Sequence, residues 1–65
     1  MSRTNLITAF NKMIDVAKKA KSSGDQETLD LACDRLKRLT EMVAGDYVLS
    51  THENKFVMEI IEETK

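Results

Sequence analysis

The sequence predicts an all-α protein: an antiparallel helical hairpin followed by a short third helix, assembling as a helical-bundle homo-oligomer. Three observations carry that reading. With no proline and two glycines in 65 residues, little in the chain interrupts a helix. Apolar residues recur at helical spacing through three segments, and turn and capping residues separate them. A single domain of residues 1–65 buries only about 60% of its unfolded surface, so it needs a further source of stability. Cys33 is the only cysteine and His52 the only histidine, which rules out an intrachain disulfide and a closed Cys/His zinc site within one chain. Packing and self-association remain.

Residues 1–4 read as a mobile lead in which Ser2 or Thr4 caps a first helix over about 5–22. Its apolar residues are Leu6, Ile7, Ala9, Phe10, Met13, Ile14, Val16, Ala17 and Ala20. At 100° per residue they fill an arc of roughly 180°, wide for a helix with one neighbour. Lys18, Lys19 and Lys21 complement the negative end of the helix dipole. The connection over 22–25 is short, which makes the first two helices an antiparallel hairpin. Gly24 closes the first helix with Asp25 capping the second, or Ser23 caps with Gln26 as its reciprocal partner; Asp25 is preferred.

The second helix, about 26–44, reads as the spine against which the rest packs. Leu29, Ala32, Leu36, Leu39 and Val43 form a heptad-type seam centred on Leu36. Leu31 and Met42 flank it on one side, Cys33 and Thr40 on the other. A lone cysteine at such a border is expected to be a small buried hydrophobe. On the opposite face, Asp34 with Arg38 and Lys37 with Glu41 have the spacing of i,i+4 ion pairs. Gly45 is expected to end the helix in a left-handed conformation.

Tyr47, Val48 and Leu49 are adjacent apolar residues that either pin the return connection or offer a docking patch. Ser50 and Glu53 have capping-box spacing and open a third helix over about 52–63. Phe56, Val57, Ile60 and Ile61 form its apolar face, and Met58 lies off that face. Glu59, Glu62 and Glu63 oppose the dipole at its C-terminal end, which frays unless a basic surface meets it.

Charge is graded along the chain. Residues 1–22 hold five basic groups against one acid, a net of +4; residues 23–44 hold three against five, a net of −2; residues 45–65 hold two against five, a net of −3. Such a gradient suits antiparallel or head-to-tail protein association. It argues against nucleic-acid binding, because the acidic first turns of the second helix and the glutamates of the third have the wrong sign for DNA. No apolar run exceeds three residues, so neither a membrane span nor a secretory signal core is expected, and the cytoplasm is the expected location.

Asp46, Ser50 and His52 include the residue types of a nucleophilic triad, but Ser50 is already committed to a cap and the loop is too short to orient an imidazole. With no glycine-rich phosphate loop either, no enzyme activity and no cofactor is expected. The expectation is a non-enzymatic regulatory or inhibitory module that binds another protein through apolar helical surface with a charged rim, and that forms a homo-oligomer with a dimer favoured. Compact stand-alone chains of this size are common among bacterial and phage-encoded regulators. Tyr47, Val48, Leu49, Phe56 and Met58 are the candidate interaction surface. One alternative is an oligomer that binds a small anionic ligand between subunits through Arg3, Lys12, Lys18 and Lys19; another is a DNA-binding regulator or an acidic mimic of DNA.

Overall fold

The computed structural model describes residues 2–45 and 48–64. It contains three helices, α1 (Ser2–Ser23), α2 (Gln26–Ala44) and α3 (Thr51–Glu63), and no strand among the described residues. The long dimension, 36 Å, is close to the length of α1 with its 22 residues.

α1 begins at Ser2, ahead of the start expected from the apolar pattern, so 2–4 are helical. Thr4 does not cap: it lies inside the helix, and its carbonyl accepts the Thr8 hydroxyl at 2.9 Å. The early start has a reason in the guanidinium of Arg3, which is anchored on α2 and orders the first turn of α1 (described below).

Gly24 closes α1 with φ at +74°, a conformation that a Cβ would strain. The Asp25 amide donates back to the Ala20 carbonyl at 2.9 Å and the Gly24 amide to the Lys21 carbonyl at 3.4 Å. Together these are the two bonds of a Schellman ending. Asp25 then caps α2, accepting the Thr28 amide at 3.1 Å and the Thr28 hydroxyl at 2.7 Å. Of the two punctuations open in the sequence, this is the Gly24 and Asp25 one. Both bonds favour the ionised carboxylate, so the Asp25 carboxyl is held below the usual aspartate value, first by the Thr28 hydroxyl and then by the Thr28 amide.

The core joins Leu6, Ala9 and Met13 of α1, Ala32, Leu39 and Met42 of α2, Leu49 of the connection, and Val57 and Ile60 of α3. α1 is the helix whose backbone packs closely against both of the others. It touches both α2 and α3, whereas the backbones of α2 and α3 do not come within 8 Å of each other among the described residues. The second helix is therefore not the spine; the wide apolar arc of α1 belongs to a helix with two neighbours.

Four expectations for α2 are corrected. Its buried line is Ala32, Leu39 and Met42, with Leu36 only partly buried, because α2 is rotated toward its Met42 flank to meet α1. The same rotation turns Cys33 outward, and its thiol is exposed. Gly45 is extended at φ −74° and ψ 134°, its amide donating to the Glu41 carbonyl at 3.0 Å, so it is not left-handed. Nor do the two i,i+4 pairs close: among the described residues the ion pair is Arg35 with Glu63 at 3.1 Å, and Arg38 lies over the Phe56 ring at 4.3 Å.

α3 opens with the expected capping box. Ser50 Oγ accepts the Glu53 amide at 3.2 Å, and Glu53 Oε1 accepts the Ser50 amide at 2.8 Å. Val57 and Ile60 are buried while Phe56 and Ile61 pack against the core, the face read from the sequence.

Candidate functional site

The ends of α2 and α3 pose one problem, and basic side chains from elsewhere in the fold solve it. A helix leaves its last carbonyls unbonded and carries partial negative charge there. Neither α2 nor α3 has a basic residue in its last turn, and the extended Gly45 leaves α2 without a left-handed ending. Arg3 fills the gap at α2, donating from Nη1 to the carbonyls of Met42 at 3.3 Å and Gly45 at 3.1 Å, and from Nη2 to that of Val43 at 3.1 Å. At α3, Lys12 Nζ donates to the Thr64 carbonyl at 3.3 Å and Arg35 pairs with Glu63. The basic surface that the acidic end of α3 needed comes from α1 and α2.

This changes the standing of the basic residues. Arg3 and Lys12 are occupied with main-chain carbonyls, while Lys18 and Lys19 stand exposed near the hairpin tip. Arg3 and Lys19 are separated along α1 by about 24 Å, at 1.5 Å per residue. The four do not converge on one small anion. A surface depression of about 360 Å³ lies instead on the outer stripe of α3, lined by Lys55, Met58, Glu59, Glu62 and Glu63, where the prevailing charge is negative.

The expected interaction surface is dispersed in the same way. Tyr47 and Asp46 lie outside the described residues. Val48 is 89% exposed, but Leu49 is buried in the core and leaves the surface. Phe56 is partly buried against the core beneath Arg38. Met58, two residues on and so on the opposite flank of α3, is 43% exposed, and its sulfur receives the Asn5 amide group at 3.7 Å. Val48 and Met58 remain as exposed members of the set.

Sequence reasoning missed two features. One is the capping role of Arg3 and Lys12, for which the signal was present: two helices ending without a basic residue of their own imply a cation from another element. The other is which side of the hairpin stays open; the surplus apolar surface was expected from the breadth of the α1 arc, but its place along α1 and α2 was not. Among the described residues, no three His, Cys, Asp or Glu side chains come together as a metal site, and no helix is long and apolar enough to cross a membrane. His52 is exposed in the first turn of α3, and the Ser50 hydroxyl accepts the Glu53 amide in the capping box. Compared with protein-family models, with curated proteins and with solved structures, the chain matches none.

Proposed function

We propose that this protein is a non-enzymatic interaction module, a small cytoplasmic regulator or inhibitor that binds another protein and itself associates as a homodimer. One observation carries the reading. Four large apolar side chains, Ile7, Leu31, Val48 and Met58, stand 45%, 52%, 89% and 43% exposed on a chain with 42% hydrophobic residues. Single exposed apolar residues are ordinary; what matters is that Ile7, Leu31 and Met58 stand on helices with charged borders, while Val48 stands in the connection between α2 and α3.

The outer stripe of α3 is the surface offered to a different protein. Met58 sits in its depression with Glu59, Glu62 and Glu63 around it and Lys55 at one end. Glu63 is paired with Arg35, and an apolar centre beside the remaining acidic rim suits a partner with a hydrophobic anchor and basic flanks, the rim serving association rate and selectivity more than affinity. The anionic-ligand reading has no comparable support, since the basic side chains are dispersed and the depression is acidic.

The test is capture on the immobilised 65-residue chain, with Met58→Asp and Glu59→Lys variants as controls. A stoichiometric protein retained by the parent and lost from both variants supports the reading. Absence of any such protein, or equal retention by all three, overturns it.

A further inference from the structure

We propose that a second copy of this chain covers the open side of the α1–α2 hairpin, packed about a two-fold axis parallel to the helices, with Lys18 and Lys21 of each protomer facing Asp30 of the other. The proposal rests on the self-association part of the reading above and gives it a geometry.

α3 is held on one side of the hairpin, by Asn5 and Lys12 of α1 and by Arg35 and Arg38 of α2. At 100° per residue, Ile7, Phe10 and Ile14 lie on the flank of α1 turned away from Asn5 and Lys12. Leu29, Leu36 and Val43 lie likewise on the flank of α2 turned away from Arg35 and Arg38. These six side chains flank the α1–α2 seam as one strip. Ile7 is exposed and the other five are partly exposed, since α3 is on the far side.

Charge along the borders of the strip selects the occupant and its orientation. The α1 border carries Lys18 and Lys21, and the α2 border carries Asp30 near the hairpin tip and Lys37 seven residues on along the same stripe, all four exposed. Asp30 accepts the Gln26 amide group at 2.8 Å, a neutral donor that leaves its charge uncompensated. Lys18 stands six residues before Gly24 and Asp30 six residues after it, so the two are at the same height on the hairpin. A two-fold axis along the helices lays α1 of one copy antiparallel against α2 of the other, so that Lys18 meets Asp30 level with it while Lys37 meets the uncharged Asn11 level. The alternative axis, across the helices, lays like against like. Asp30 then faces the Glu41 end of the partner's α2 while Lys37 faces Asp34, which offset each other, and Lys18 faces the uncharged turn around Thr8. The first arrangement gives an antiparallel four-helix bundle with opposite charges matched at its edge.

Light scattering from low to high micromolar concentration tests this on the full chain, alongside circular dichroism to check helix content. The parent is expected at twice the 7.4 kDa chain mass. Lys18→Glu with Lys21→Glu, and separately Asp30→Lys, should each weaken the dimer about tenfold, and the three substitutions combined should restore it. Ile14→Asp should give a helical monomer; because Lys18, Lys21 and Asp30 are exposed, the charge variants remain informative even where that one unfolds. A parent that stays monomeric overturns this proposal together with the self-association reading. A parent dimer that persists in Ile14→Asp, that shows no rescue by the combined reversal, or that readily forms a Cys33–Cys33 disulfide overturns this geometry alone, because such a disulfide requires α2 against α2.

Discussion

Leu6, Leu39, Val57 and Ile60 are the largest side chains fully sealed from solvent, and together they mark where the three helices meet. Removing Leu39 takes out contacts that neither α1 nor α3 can close over. Leu39→Ala should cost about 2 to 5 kcal/mol, a large share of the stability of a domain this size. Leu36→Ala removes a partly exposed side chain and should cost less in the monomer. Urea unfolding of the two variants decides their order, and a larger loss at Leu36 would place the core on the seam centred there. Asp25 makes a second prediction, in pH. Its carboxyl is acidified in the folded chain by the Thr28 hydroxyl and amide, so the unfolded chain binds the proton more readily. The cap therefore contributes fully above the unfolded value, about 3.9, and is lost as pH falls through the lower folded value. Asp25→Asn retains a capping side chain without the charge. Between pH 6 and about pH 3 the melting temperature of the parent should fall more than that of Asp25→Asn, and parallel curves would show that this cap does not contribute to acid stability.

At the scale of elements, the helices separate what local sequence decides from what packing decides. The Gly24 ending, the Asp25 cap and the Ser50 and Glu53 box involve neighbours at most five residues apart, and all three were legible before any fold was known. The start of α1, the conformation of Gly45 and the bonds of Arg38 were not, because each depends on a residue far along the chain. Arg3 reaches carbonyls 39 to 42 residues away and does for α2 what a left-handed glycine does elsewhere. Arg38 exchanges an i,i+4 carboxylate for the Phe56 ring. Surface i,i+4 pairs are worth a few tenths of a kcal/mol, so a cation–π contact of about 0.5 to 1 kcal/mol suffices to divert it. Arg3→Ala should expose the last carbonyls of α2 and cost about 1 kcal/mol, with faster amide hydrogen exchange confined to the last turn of α2 and the first turn of α1. Lys12→Ala should do the same for the end of α3. Uniform acceleration across all three helices would mean instead that these residues hold the whole fold.

Over the whole molecule, the order of packing places the surfaces. Because α3 is held by α1 and by Arg35 and Arg38 of α2 on the same side, the short third helix covers one side of the hairpin and leaves the other bare. The sequence contained this in outline: an apolar arc of half a turn on the first helix demands two neighbours, and a third helix of 13 residues cannot supply everything a hairpin of 22 and 19 residues exposes. Which side stays open was not legible, since it follows from contacts of Asn5, Lys12, Arg35 and Arg38 that no local pattern announces. Cys33 reports on that side directly. Its thiol is exposed in the single chain and stands on α2 beside the open strip, where the partner's α1 would cover it. The rate at which a small maleimide or iodoacetamide reacts with Cys33 should fall as protein concentration rises, in step with the growth of the dimer measured by light scattering. A rate that stays constant while the mass doubles would contradict the account, because the second copy would then sit somewhere else.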